Sequence, residues 1–247
     1  MTVPIALTIA GSDSSGGAGI QADLKTFAAL GVYGASVITA LTAQNTNGVT
    51  GIHQVPADFV AAQIDAVFGD LDVKAVKIGM VAQPSTIDAI AAGLTRWSPK
   101  YVVLDPVMVA TSGDRLLAMD AVEALRTKLI PRASLITPNL PEAAALLDEP
   151  VAASEAAIES QGKRLLAMGC PAVLIKGGHG QGAESTDYLV SGNGITALAA
   201  PRIATQNTHG TGCSLSSAIA AGLAKGEELE TAVKELKATV EKQQRKN

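Results

Sequence analysis

The sequence predicts an α/β fold with a mostly parallel sheet, helices on both faces and an antiparallel hairpin at one edge. Short apolar runs rich in β-branched residues alternate with longer helical patterns along the chain, which is typical of βαβ units. The segment 188–203 differs, because two short apolar runs flank the turn residues 191–194 and favour a hairpin. No repeat or linker interrupts the 247 residues, so we expect residues 1–247 to form one domain.

The predicted elements follow from these patterns in chain order. The strands are expected at Ile5–Ile9, Ser36–Leu41, Ala75–Ile78, Tyr101–Leu104, Ser134–Ile136 and Ala172–Ile175. The helices between them are expected at Gly19–Leu30, Ala57–Phe68, Ser85–Trp97, Asp120–Leu129, Glu142–Leu147 and Glu155–Met168. The hairpin pairs Tyr188–Val190 with Ile195–Leu198, and two helices follow at Leu215–Ala224 and Glu227–Lys246.

Composition excludes several classes of protein. The net charge of −4 and the lack of a basic block argue against nucleic acid as a partner. The two cysteines cannot build a disulfide framework, and no signal peptide precedes the first strand. No apolar run reaches the ~18–20 residues of a membrane span. We therefore expect a cytoplasmic protein without a membrane segment.

Glycine-rich and polar residues follow the predicted strands, where an open parallel sheet binds its ligands. These segments are 11–19, 44–45, 79–80, 105–107, 137–139 and 176–179. Their convergence on one edge predicts the position of the functional site.

The segment Asn207–Ser214 predicts an anion site. Gly210 and Gly212 form a tight turn before a helix, which places free backbone N–H groups at the positive end of the helix dipole. Cys213 lies on the first helical turn, where the same field would favour its thiolate. We call residues 207–214 the phosphate cradle. An anion site of this kind that contains an ionisable residue indicates phosphoryl transfer.

The first glycine-rich turn matches a dinucleotide motif only in part. Gly17–Ala22 fits G-x-G-x-x-G/A, but the acidic residue expected about 20 positions later is replaced by Thr42–Asn45. We therefore favour a backbone-lined wall that closes over a small substrate, with Asp23 reaching in from the helix. A solvated Asp23 is the alternative.

Three further residues suit a flat heterocycle. The side-chain amide of Gln44 offers two donors and one acceptor to the edge of an amino-substituted ring, or it satisfies loop backbone. Met80 and Val107 either pack on the faces of that ring or belong to the core.

Two carboxylates and a lysine complete the candidate set. Asp105 ends a strand before Pro106, where it can hold Mg²⁺ directly or through water. Glu142 forms a capping box with Asn139 and, in the functional interpretation, also helps to organise Mg²⁺. Lys176 enters a Gly-Gly turn, a placement that suits contact with phosphate oxygens, although a lone strand-end lysine is more often a surface residue.

Together these motifs resemble the hydroxymethylpyrimidine kinase/phosphomethylpyrimidine kinase family of thiamine biosynthesis, in the ribokinase-like superfamily. The resemblance covers residues 4–225, through the segments 6–13, 16–26, 44–46, 77–80, 104–108, 137–143, 176–179 and the cradle. It implies a three-layer αβα fold, a homodimer, and ATP-dependent phosphorylation of 4-amino-5-hydroxymethyl-2-methylpyrimidine to the monophosphate and then the diphosphate.

The resemblance also implies roles for individual residues. Substrate binding falls on Gly11, Ala18, Asp23, Gln44, Met80 and Val107. Nucleotide binding falls on Thr137, Asn139, Lys176, Thr208, Gly210 and Gly212. Catalysis falls on Cys213, where sugar kinases of the superfamily carry an aspartate, with Gly210, Thr211, Gly212 and Lys176. Asp105 and Glu142 are expected to bind Mg²⁺, and whether a monovalent cation takes part is left open.

Two alternatives stay open. A pyridoxal kinase of the same superfamily would also bind a flat ring with a hydroxymethyl group. A catalytically silent metabolite-binding module is the second, although such a module would not need Asp105, Glu142, Lys176 and Cys213 together. The sequence departs from the family after its last helix, where a Gly-His-Gly-Pro segment is expected and residues 243–247 read Gln-Gln-Arg-Lys-Asn.

Overall fold

The computed structural model describes residues 3–45, 48–108, 119–177, 184–201 and 210–244. Its strands are Ile5–Asp13 (β1), Tyr33–Asn45 (β2), Gly48–Gln54 (β3), Val73–Ile78 (β4), Tyr101–Leu104 (β5), Leu135–Ile136 (β6), Ala172–Ile175 (β7), Glu184–Ser191 (β8) and Gly194–Pro201 (β9). Its helices are Gly19–Ala29 (α1), Ala57–Asp70 (α2), Pro84–Trp97 (α3), Met119–Ala124 (α4), Leu140–Leu147 (α5), Glu155–Leu166 (α6), Thr211–Ala224 (α7) and Leu229–Gln244 (α8).

The strands form one sheet in the order β3-β2-β1-β4-β5-β6-β7-β8-β9. The neighbours from β2 to β7 pair in parallel, and β8 and β9 form the antiparallel edge hairpin, so the predicted fold class is confirmed. The second antiparallel edge, β3 against β2, was not predicted. Its sequence lacks the alternation of apolar and polar residues that marks a packed strand, because none of the seven residues of β3 is buried.

Each face of the sheet carries its own hydrophobic core. Leu7 and Ile9 of β1 point towards α2, α3, α5 and α6, in a core of large aliphatic side chains. Ala6 points to the opposite face, where it packs with residues of α1, α7 and α8. This alternation along β1 follows from the pleat of the strand. The three-layer arrangement agrees with the resemblance, and the small residues on the second face let α7 lie close to the sheet.

Many element boundaries differ from the predicted ones by a few residues, among them the ends of β1, β2 and α4. β1 continues to Asp13 and β2 to Asn45, because the parallel ladder runs on through Ser12↔Leu41 and Asp13↔Thr42. The helix predicted to end at Leu129 changes into a π turn after Ala124 and then into a 3₁₀ turn that contains Pro131. None of the described helices combines the length and the apolar composition that crossing a bilayer requires.

The site lies where the strand order reverses. β1 has β2 on one side and β4 on the other, so successive connections leave the sheet in opposite directions at this point. In open α/β sheets the resulting crevice, at the carboxyl ends of the strands, is the usual ligand site.

Candidate active site

The start of α7 meets the glycine-rich turn that follows β1. Gly210 caps the helix with φ of 77°, and a Cβ there would lie 1.8 Å from the carbonyl oxygen of Gly17. Only glycine therefore allows this contact. Ser214 N donates to Gly210 O over 2.9 Å, whereas the amides of residues 211–213 have no acceptor within the helix. The N-cap Gly210 supplies no side-chain cap, so these amides have the arrangement that suits an anion.

Three residues of this region lie outside the described part of the chain. They are Thr208, which the resemblance assigns to the nucleotide, and the histidines at positions 179 and 209.

A buried carboxylate organises the glycine-rich turn. Asp13 Oδ1 accepts from the amide and the hydroxyl of Ser15 over 2.8 and 2.7 Å, and Oδ2 accepts from the amides of Gly17 and Ala18 over 3.1 and 2.8 Å. Gln21 in turn accepts from the Asp13 amide over 2.8 Å. Four bonds to one carboxylate fix the wall of the pocket and the surface against which Gly210 packs.

Lys176 lies beside the cradle. Its Nζ is 2.8 Å from Asp105 Oδ1, and a Cβ on Gly212 would lie 3.1 Å from the same nitrogen. The Lys176 amide donates to Pro138 O over 2.8 Å, which fixes the end of β7 beside the start of α5. The structure therefore brings the predicted lysine, aspartate and glycine-rich helix start together.

Asp105 is buried and hydrogen-bonded through both carboxylate oxygens. Thr137 Oγ1 donates to its Oδ1 over 2.9 Å, and Ser216 Oγ donates to its Oδ2 over 3.2 Å. Burial acts to raise the pKa of Asp105, but the ammonium groups of Lys176 and Lys77 outweigh it and hold the pKa below its ordinary value. Asp105 is thus a carboxylate at neutral pH.

The structure confirms one of the two roles predicted for Glu142, the capping of α5 together with Asn139. Glu142 forms a capping box with Asn139, in which the Glu142 amide and the Asn139 amide each donate to the other residue's side chain over 2.8 Å. Burial raises the pKa of Glu142 to about 7, Lys176 acts against this, and Asp105 adds to it. A buried carboxyl group with a raised pKa therefore lies near Asp105 and Lys176.

The pair Asp105 and Glu142 fits a magnesium ion by its chemistry. Mg²⁺ in phosphoryl-transfer sites is usually held by one or two carboxylates, with the remaining positions filled by water and substrate phosphates. Across the described residues no cluster of three or more His, Cys, Asp or Glu side chains could hold a metal without such help. Burial is the main cause of the raised pKa of Glu142, and a bound divalent cation would favour its ionised form.

Cys213 corrects one expectation. The helix start was expected to favour the thiolate, but burial raises the pKa of the Cys213 thiol above its ordinary value. Lys77 partly offsets this effect, while the carboxylates of Asp23 and Asp105 add to it. The amide of Gly19 is directed at the sulfur. The resting residue is a thiol that faces the glycine-rich turn.

Asp23 corrects a second expectation. It neither lines the pocket nor meets solvent, since it is 0% exposed. Both carboxylate oxygens lie 2.9 Å from Lys77 Nζ, and Thr8 and Ser217 each donate a hydroxyl over 2.6 Å. Ser217 lies one turn after Cys213 on α7, so this network supports the site from beneath.

The residues predicted to contact the heterocycle lie in or just after the neighbouring parallel strands β2, β1, β4 and β5. A Cβ on Gly11 would lie 2.6 Å from Met80 Cε, so the glycine makes room for the methionine. Gln44 is half-buried; its Oε1 accepts from Thr42 over 3.1 Å, and its backbone exchanges two hydrogen bonds with the hydroxyl of Ser14. Val107 is half-buried two residues after Asp105.

Comparison with known proteins places the chain in a family. A family model described as phosphomethylpyrimidine kinase matches residues 13–247. The chain belongs to this family. The hydroxymethylpyrimidine/phosphomethylpyrimidine kinase of Rhizobium meliloti (strain 1021) is 61% identical over 234 residues, which cover 95% of this chain and 88% of that protein. The recognition made on the sequence motifs is therefore confirmed.

Two solved structures resemble the whole fold. The crystal structure of phosphomethylpyrimidine kinase from Clostridium difficile 630 is 45% identical, with a TM-score of 0.86 over 98% of this chain and 99% of that one. An ADP complex of Bacillus subtilis pyridoxal kinase is 37% identical, with a TM-score of 0.89 over 96% of this chain and 90% of that one. These matches confirm the ribokinase-like fold.

Two supporting residues escaped the sequence analysis. The patterns pointed to Asp13 only as part of the glycine-rich segment 11–19 and to Lys77 only as part of the segment 77–80. An aspartate two residues before Ser15 and four before Gly17 is a signal for side-chain to backbone bonds in a turn. A lysine between the apolar residues Val76 and Ile78 near the end of β4 is a signal for a buried partner.

Proposed function

We propose that this protein transfers the γ-phosphoryl group of ATP to the hydroxymethyl oxygen of hydroxymethylpyrimidine, and then a second phosphoryl group to the monophosphate. In the first step a bond forms between the alcohol oxygen and the γ-phosphorus, the bond from that phosphorus to the β–γ bridging oxygen breaks, and ADP leaves. The hydroxyl proton passes to a base or to solvent. The observation that carries the proposal is the position of Lys176 beside Gly212, at the uncapped start of α7.

Charge neutralisation does most of the work in such transfers. The amides of residues 211–213 and the ammonium group of Lys176 would surround the equatorial oxygens of the migrating group. Asp105 and Glu142 would hold Mg²⁺, which when bound neutralises phosphate charge. Asp105 also fixes Lys176 through the 2.8 Å contact between Nζ and Oδ1.

The two acceptors differ in how much their phosphorylation gains from a catalytic base. An alcohol acceptor gains from proton removal, which contributes about 10²–10⁴-fold. A phosphate monoester, with a second pKa of about 6, is already mostly ionised at neutral pH. We assign the proton from the alcohol to Cys213 in its thiolate form, which is the minor form at neutral pH because burial raises the pKa of the thiol.

The substrate side rests on the crevice between β1 and β4. Gly11, Met80 and Val107 would pack on the faces of the ring, and Gln44 would meet its amino edge. Ala18 contributes the wall, because Asp13 fixes its amide. Asp23 is proposed to act by supporting this wall and the start of α7.

An ATP-consumption assay tests the function. With ATP and Mg²⁺, hydroxymethylpyrimidine is expected to support turnover, and the product is expected to appear as monophosphate and then diphosphate. Pyridoxal is the competing substrate, because a pyridoxal kinase is among the similar structures. A larger kcat/KM for pyridoxal would reassign the enzyme, and no ATP consumption with either compound would favour a silent binding module.

Four further expectations remain predictions. Residues 1–247 are proposed to act as one domain, located in the cytoplasm. The protein is proposed to be a homodimer, and light scattering is expected to give twice the chain mass of 25.0 kDa. Dependence on a monovalent cation is tested by replacing K⁺ with a large organic cation in the same assay.

A further inference from the structure

A buried ion pair connects the C-terminal helix to the sheet edge. Lys237 on α8 is only 6% exposed, and its Nζ lies 2.9 Å from Asp187 Oδ2 on β8. The same nitrogen donates to Leu198 O on β9 over 2.6 Å. Replacing a buried pair with apolar residues is often neutral or stabilising, so stability alone is a weak explanation for this one.

The second oxygen of Asp187 holds the backbone next to Lys176. Asp187 Oδ1 accepts from the amide of Gly177 over 2.8 Å. The ladder between β7 and β8 ends at Ile175↔Tyr188, so this side chain replaces the backbone acceptor that the ladder no longer offers. A Cβ on Gly177 would lie 1.8 Å from Thr186 O, so the close approach of the two strands requires glycine here.

The connection ends at the cradle. Lys176 precedes Gly177, and its Nζ lies against Asp105 and next to Gly212. A displacement of the Gly177 backbone would therefore move the ammonium group relative to the amides at the start of α7. A misplacement of about 1 Å in such a site costs on the order of 100-fold in rate.

We propose that Lys237 is a positioning residue: through Asp187 it fixes the backbone at Gly177 and so sets where the Lys176 ammonium group meets the transferred phosphoryl group. The inference rests on the proposed phosphoryl transfer for its kinetic consequence. The link between Lys237 and Gly177 is a property of the fold and is measurable without any substrate.

The experiment compares Lys237→Met with Lys234→Met, a change to an exposed lysine on the same helix. Lys237→Met is expected to lower kcat about 10–100-fold for both phosphorylations, whereas Lys234→Met leaves it within about 2-fold. In a Lys176→Ala background, Lys237→Met is expected to add less than about 2-fold, because residues that act through one another are not additive. Lys237→Arg is expected to recover most of the activity.

Amide exchange gives the readout that needs no substrate. The Gly177 amide is expected to exchange at least about 10-fold faster in Lys237→Met than in wild type, with the amides of β7 unchanged. Unchanged Gly177 exchange, or a full additional loss in the Lys176→Ala background, would overturn the proposal. If Lys237→Met does not fold, Lys237→Gln takes its place. If neither folds, the pair holds the fold and not Lys176, and the proposal is overturned. If the wild-type protein shows no kinase activity, the proposed function itself is contradicted.

Discussion

The ammonium group of Lys77 lies 2.9 Å from both oxygens of the Asp23 carboxylate, and both side chains are fully buried. Thr8 and Ser217 donate hydroxyl groups to the same carboxylate. One ion pair therefore connects β1, α1, β4 and α7 beneath the substrate crevice. It holds the start of α7, and so the cradle, at a fixed height above the sheet.

Removing one partner of this pair should destabilise the protein strongly. Lys77→Met leaves the Asp23 carboxylate buried without a counter-ion, so we expect the free energy of unfolding to fall by about 3–5 kcal/mol. Chemical denaturation measures it. The control is Lys74→Met on the same strand, whose side chain is 50% exposed and should change stability by no more than about 0.5 kcal/mol. A loss below about 1 kcal/mol for Lys77→Met would contradict this account.

Cys213→Ala should separate the two phosphorylations. The first transfer is expected to fall about 10²–10⁴-fold because its acceptor is an alcohol, and the second should change far less. Because the Cys213 pKa is raised above the ordinary 9.0, the wild-type rate of the first transfer should increase with pH up to and beyond that value, and the slope should vanish in the variant. Equal losses in both steps would show that Cys213 only shapes the pocket.

Lys176→Ala should damage both steps. Its ammonium group is one of the donors that neutralise the migrating group, and the loss of one such donor costs about 10²–10³-fold in kcat. Lys163→Ala, at an exposed lysine of α6, serves as the control. Steady-state kinetics on each acceptor measure the effect, and an unchanged rate in either step would remove Lys176 from the phosphate role.

Glu142 should make stability depend on pH. Its pKa is raised from 4.5 to about 7 in the folded protein, so the folded state binds more protons than the unfolded state between these values. Stability is therefore fully present below about pH 4.5 and is lost as pH rises through about 7, by at most about 3 kcal/mol.

Glu142→Gln keeps the capping box, since an amide oxygen can accept the same bond, but it cannot ionise. Thermal melting from pH 5 to 8 should show the variant gaining on the wild type as pH rises. Added Mg²⁺ at pH 8 should stabilise the wild type more than the variant. A constant difference across this range would show that Glu142 is ionised throughout.

The sequence predicted the elements that are buried on at least one face. The strands β5 and β7 have the predicted bounds, because a continuous apolar run between polar ends defines them. Edge strand β3 was missed, because its residues are exposed or half-buried. Asp23 was misplaced, because its partner Lys77 is 54 residues away, and local patterns carry no information on such a pairing. The prediction of a thiolate at Cys213 was wrong, because the sequence motif that begins a helix does not show how deeply the first turn is buried.

The central claim is that the amides at the start of α7, with Lys176, surround the γ-phosphoryl group. A crystal structure with a non-hydrolysable ATP analogue and Mg²⁺ tests it most directly. The terminal phosphate oxygens should lie within about 3 Å of the amides of Gly212 and Cys213 and of Lys176 Nζ. A terminal phosphorus far from Gly212 would contradict the account.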